Sequence, residues 1–156
     1  MDYEKFFSRK SEIVARELIG KQILRTANNG SVSCMIAETG AYEGGNINDS
    51  RKGMLYVPGT LFLMPFRAYK LLNIATDREG FPSCVEIRRI QLIDKQIKGP
   101  GSISKFLGLE GLDGMLLGNE VQILDNTNLA NPMVIKSDGK SENCLGYFSL
   151  ASEVKE

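Results

Sequence analysis

An α+β fold, a single domain over residues 1–156 built on one strongly curved, barrel-like antiparallel sheet with a few short helices, is predicted by three features of this sequence. Short apolar runs of strand character dominate it. Most follow one another across turns of only a few residues, which favours antiparallel pairing. Helical patterns are few and brief.

Ser11 to Ile19 is the first clear helix. Ile13, Val14, Leu18 and Ile19 cluster on one side, Ser11 offers a cap at the start, and Gly20 offers an end. A hairpin follows: Lys21 to Ala27 is one strand, Asn29-Gly30 the turn, and Ser31 to Ala41 the return strand. Alternation places Val32, Cys34, Ile36, Glu38, Gly40 and Tyr42 on one face of it. Glu43 to Gly53 is polar and glycine-rich, hence a loop. After the Pro58-Gly59 turn, strands are expected over Leu61–Phe66, Tyr69–Thr76 and Ser83–Gln91, the last two separated by the turn Asp77-Arg78-Glu79-Gly80. Gly99-Pro100-Gly101 opens a short helix, Ser102 to Leu107, stopped by Gly108. Late strands are expected at Glu120–Leu124 and Met133–Lys136.

Composition narrows the function. Hydrophobic residues are 42% and charged residues 24% of 156, the balance of an ordinary globular domain. Formal net charge is zero, which argues against a general polyanion binder while leaving room for one basic face. The cysteines Cys34, Cys84 and Cys144 are odd in number and far apart, as in a reducing compartment. Histidine is absent, so a Ser-His-Asp triad, a Cys-His pair and a histidine zinc site are excluded. No run reaches the ~18 apolar residues of a membrane span. The N-terminal MDYEKFFSRK lacks the apolar stretch of a signal peptide. The expectation is a soluble cytoplasmic protein without membrane contact.

Four constellations carry chemistry. Ile36-Ala37-Glu38-Thr39-Gly40-Ala41-Tyr42 sets a carboxylate and an aromatic ring on one strand just before a glycine loop. This is either a packed sheet face or a base-stacking platform beside an acid–base group. Pro65-Phe66-Arg67 lies at the tip between two apolar strands. That tip is an ordinary hairpin or an apolar wedge flanked by Arg67 and Lys70 for phosphates. In Glu86-Ile87-Arg88-Arg89, alternation sends the two arginines to opposite faces, so at most one faces a site. Gly99-Pro100-Gly101-Ser102 can bring backbone N–H groups near a phosphate.

Singly these are weak; their order is not. Phe6-Phe7, Val14 to Lys21, Ile36-Ala37-Glu38-Thr39 with Ala41-Tyr42, Pro58-Gly59-Thr60, Asn73, Ile87-Arg88 and Gly99-Pro100-Gly101 resemble the alkyladenine (3-methyladenine) DNA glycosylase family, from about Phe6 to Leu107. The resemblance implies a curved mixed α/β domain that flips a damaged purine out of double-stranded DNA into a pocket. There the base is stacked between aromatic rings and its bond to the sugar is hydrolysed by water. It implies no metal, no organic cofactor and a monomer working on nucleoid DNA. Tyr42 then matches the stacking tyrosine, Asn73 the base-pocket asparagine, and Arg88 the arginine that helps hold the site water. Phe66 falls near the intercalating residue, with Arg67 and Lys70 beside it.

The departures fall in the active site. The family's water-activating glutamate position is Gly40 here. Its opposing histidine has Asp49 as the nearest match, and its second wall aromatic falls at Met64. A helix and loop between the Arg88 strand and the Gly-Pro-Gly turn shrink to about Gln91–Lys98. Glu38, on the same strand, is the candidate substitute carboxylate. Three functions follow: an active glycosylase for alkylated purines, a catalytically impaired binder of damaged or unpaired bases, or a small module with another ligand. A basic strip over Arg67, Lys70, Arg88, Lys98 and Lys105 would favour the first two.

Overall fold

The computed structural model describes residues 1–125 and 132–151. Helices α1 (Tyr3–Phe7) and α2 (Ser11–Leu18) precede strands β1 (Gln22–Ala27) and β2 (Gly30–Glu43). A 3-10 helix, Asp49–Leu55, leads to β3 (Leu61–Phe66), β4 (Tyr69–Ala75), β5 (Ser83–Gln91) and β6 (Gln96–Lys98). Helix α3 (Pro100–Leu107), β7 (Val121–Leu124), β8 (Val134–Ser137) and β9 (Cys144–Leu150) complete it. Among the described residues nine strands form one antiparallel sheet, curled but not closed, in the order β3-β4-β5-β2-β1-β7. The β6 strand adds to β5, and β9 pairs with both β2 and β8. Among the described residues no helix is long and apolar enough to cross a membrane.

The long β2 organises the sheet. Its first half pairs with β1, its second half with β9, and its other edge with β5. Cys34 and Ile36 enter the main core, and so do Thr39 and Ala41: Ala41 packs there, while the buried Thr39 hydroxyl donates to Ala15 O of α2 at 2.8 Å. Two core residues three apart mean that the alternation slips once. The pairing with β5 is irregular between Ile36 and Thr39, opposite Ile90 and Ile87, and those two isoleucines are likewise both in the core. Such a bulge re-aims side chains by breaking the two-residue period. The expected single face from Val32 to Tyr42 is therefore wrong. Cys34 and Ile36 face the helices, while Glu38, Gly40 and Tyr42 face away from them.

Other expectations shift for simpler reasons. The buried stripe of α2 is Ser11, Val14, Ala15 and Leu18, a regular helical spacing that leaves Ile13 exposed. Ser11 is the first helical residue rather than the cap, which is Lys10, and its hydroxyl is buried without a partner. Gly20 does follow the helix, with φ +91°. The loop expected over 43–53 contains the 3-10 helix, capped by Asn48, whose side chain accepts from Arg51 N at 3.1 Å. The strands β6 and β9 and helix α1 carry no strong sequence signal. They are formed by tertiary contacts, as when Tyr3 Oη bonds the main chain of Ile123 in β7.

On the Tyr42 face lies a second, smaller apolar cluster of Met54, Phe62 and Cys84, with Tyr42, Ile47, Tyr56 and Met64 against it. It joins the 3-10 helix to β3. Gly53 permits this, because a Cβ there would overlap the Phe62 ring. Overpacking a tight contact typically costs about 1–3 kcal/mol. Gly53→Ala should lower stability by about that much, read as a lower urea midpoint with an unchanged slope.

Candidate active site

One row of residues crosses five strands on the face away from the helices. Phe62 of β3 pairs with Asn73 of β4, Asn73 with Glu86 of β5, Glu86 with Gly40 of β2, and Gly40 with Tyr147 of β9. In the next row, Tyr42 pairs with Cys84 on one side and Cys144 on the other. Against these rows stands the 3-10 helix. Between them is a cavity of about 340 Å³ lined by Tyr42, Met64, Phe66, Asn73, Glu86 and Arg51, among others. That volume is within the range of small-ligand sites.

Tyr42 forms one wall, and its hydroxyl donates to Glu86 Oε1 at 3.3 Å. Burial, then the Glu86 carboxylate, hold the phenol well above its ordinary range, so the ring is a neutral stacking surface. Met64 lies across the cavity on β3. Asn73 is buried; its amide donates to Leu71 O at 3.1 Å and its Oδ1 accepts from Cys84 Sγ at 3.5 Å. Phe66 lines the rim at the end of β3, 49% exposed, and the Arg67 guanidinium covers its ring at 5.1 Å. Arg67 takes φ +56° in the two-residue turn before Tyr69.

Lys70 is exposed near the same tip but borders a neighbouring cavity, together with Asp49, Lys52 and Asp113. Asp49 therefore does not face Tyr42. It opens the 3-10 helix, where successive residues diverge by about 120°, and it is Ser50 and Arg51 that reach the Tyr42 cavity.

Arg88 is not among the cavity-lining residues; it stands behind them as the centre of an ionic cluster. Its Nη1 donates to Glu86 Oε1 at 2.6 Å and its Nε to Glu38 Oε2 at 3.1 Å, while its guanidinium stacks on Tyr147 at 4.2 Å. Arg89 pairs with Glu38 Oε1 at 3.6 Å. Both arginines thus reach the same carboxylate, contrary to simple alternation, because β5 shares the irregularity of β2. With Arg88 held by two carboxylates, a continuous basic strip through it is not available for phosphates.

Glu86 is the residue that sequence reasoning passed over. Its side chain is only 8% exposed. Burial pushes its carboxyl pKa above the ordinary range, against the opposing pull of Arg88 and Tyr42. Burial works against the charge of Arg88, but Glu86 and Glu38 more than restore it. The available signal was spacing: Glu86 lies two residues before Arg88 on one strand, and so shares its face.

Comparison with known proteins follows this geometry. Residues 5–138 match the family model described as methylpurine-DNA glycosylase. The chain belongs to that family. Among its relatives, a protein of Listeria monocytogenes named "Putative 3-methyladenine DNA glycosylase" is 29% identical over 138 residues, covering 70% of this chain and 66% of the relative. One of the same name from Aeropyrum pernix is 31% identical over 126 residues, covering 71% and 65%. A third, from Lactiplantibacillus plantarum, is 31% identical over 144 residues, covering 76% and 69%. The chain thus spans just under two thirds of the length of the first two relatives.

Removing one partner of a buried pair typically costs about 3–5 kcal/mol. Arg88→Met leaves Glu86 without its cation, so a loss toward the lower end of that range is expected in mildly alkaline buffer. The loss should shrink in acid. A carboxyl whose folded pKa is raised gains stability as pH falls through that pKa toward the unfolded value, because the protonated form needs no counter-ion. Urea denaturation of both proteins in alkaline and acidic buffer measures it.

Proposed function

We propose that this protein is a DNA glycosylase that excises alkylated purines from double-stranded DNA, acting as a cytoplasmic monomer on nucleoid DNA. The observation that carries the reading is the Tyr42 cavity: an aromatic wall, a buried amide and a carboxylate around a space entered past an exposed aromatic hairpin tip. A flipped purine stacks on Tyr42 with Met64 opposite. Asn73 presents its amide to the base edge. Phe66 enters the duplex as the base leaves, and Arg67 and Lys70 hold the flanking phosphates. Arg88 and Glu38 form the ionic frame that fixes the reacting end. The names borne by the relatives support the same chemistry.

A second reading, a catalytically impaired binder of damaged or unpaired bases, is favoured by two observations. Gly40 carries no carboxylate, and both Glu38 oxygens are held by arginines. Base release from duplexes containing 7-methylguanine, 3-methyladenine or hypoxanthine separates the two. Release of the methylated bases, with hypoxanthine much slower, is expected. A cationic base supplies its own leaving-group activation; a neutral one does not. Tight binding without release of any base would leave the binder.

The wedge has its own test. Losing an aromatic stacking contact with a base costs about 1–3 kcal/mol. Phe66→Ala should weaken binding to a duplex carrying an abasic-site analogue by about tenfold or more at fixed salt, with stability unchanged because the ring is exposed. Equal affinity would remove the wedge from the mechanism.

A further inference from the structure

We propose that Glu86 is the carboxylate that activates the attacking water, moved one strand across from the position left vacant at Gly40; this rests on the glycosylase reading. The register supports it directly. Glu86 pairs with Gly40, and paired residues of neighbouring antiparallel strands lie about 4.5–5.5 Å apart at Cα. Glu86 thus stands beside Gly40, on the same face and beside the same tyrosine.

The hydrogen bonds divide the work between its oxygens. Tyr42 and Arg88 both donate to Oε1. Among the described residues no hydrogen bond reaches Oε2, and Glu86 lines the cavity. A carboxylate with one oxygen anchored and one free is oriented to hold a water. Glu38 is placed less well for this. Arg88 holds its Oε2 and Arg89 its Oε1, and it is not among the cavity-lining residues.

The step balances without a further reactant. The water oxygen bonds to C1′ of the deoxyribose as the bond from C1′ to the base nitrogen breaks. The bonding pair leaves with the base, which for 7-methylguanine neutralises its positive charge. The proton of the water passes to Glu86 Oε2, and its negative charge stabilises the cationic sugar on the way.

The ionisable groups around Glu86 are Arg88 and Cys84 on its own strand, Glu38 and Tyr42 on β2, Tyr147 and Cys144 on β9, and Arg51 on the 3-10 helix. Of these, Glu38 is the other carboxylate. Glu86 is the base only when ionised. The rate should therefore fall with acid through its raised pKa, above the ordinary glutamate range.

The experiment is single-turnover release of 7-methylguanine from a methylated duplex across the acid range, for wild type, Glu86→Gln and Glu38→Gln. Glu86→Gln is expected to lose about 100-fold or more and its acid limb, while binding the abasic-analogue duplex as wild type does. Glu38→Gln is expected to keep the acid limb. If Glu86→Gln keeps both rate and limb while wild type releases base, the assignment of Glu86 fails and the glycosylase reading stands. If wild type releases no base from any methylated duplex, both fall. Should Glu86→Gln not fold, the other two profiles decide. A limb above the ordinary range that survives Glu38→Gln supports Glu86. A wild-type rate flat through that range, or a limb lost with Glu38, overturns it.

Discussion

Two neighbouring strands of the sheet change face together. Between Ile36 and Thr39 on β2, and between Ile87 and Ile90 on β5, the core side chains are three apart instead of two. On β5 the two residues between them, Arg88 and Arg89, are thereby released from the core; on β2 Glu38 is released while Ala37 stays buried. A regular ladder would have sent one arginine into the apolar core, where an unpaired cation is far too costly to keep. The shared irregularity avoids that penalty and brings two arginines to one carboxylate. It also sets the parity of everything beyond it: Gly40 and Tyr42 on β2, Glu86 and Cys84 on β5, all toward the cavity.

The cluster so formed is close to neutral, two arginines against two carboxylates, and each charge has a partner. That is the condition under which charges persist at partial burial. The four are not equivalent. Glu38 is paired with two arginines, Arg88 is clamped between carboxylates and stacked on Tyr147, and Glu86 is the deepest and lines the cavity. A site of this kind has little net field. The cations near the hairpin tip, Arg67 and Lys70, lie outside this cluster.

Much of this was legible in the sequence, because alternation and turn chemistry are local. The α2 helix, the β1–β2 hairpin, β3 to β5 and α3 appear where apolar periodicity and the glycine and proline signals place them. Tyr42, Met64, Asn73 and Phe66 do converge on one cavity. What was not legible depended on partners distant in sequence. The bulge is invisible to periodicity, since it exists only through the pairing of β2 with β5. The β9 strand, which supplies Tyr147, is held by β2 and β8 rather than by propensity. Asp49 borders the neighbouring cavity because it opens a 3-10 helix, and a loop and a 3-10 helix look alike in a polar, glycine-rich segment. Glu86 was passed over because its importance lies in its register against Gly40, a relation between two strands.

Gly40 itself completes the picture. A Cβ there would meet the Tyr42 ring at 3.1 Å and both Arg88 Cδ and the Tyr147 ring at 3.2 Å. A side chain at position 40 would therefore need these three groups to give by a few tenths of an ångström. Arg88 in its present place neutralises Glu86, and Glu86 is what fixes the Tyr42 hydroxyl. Glycine at 40, tyrosine at 147 and glutamate at 86 belong to one packing solution.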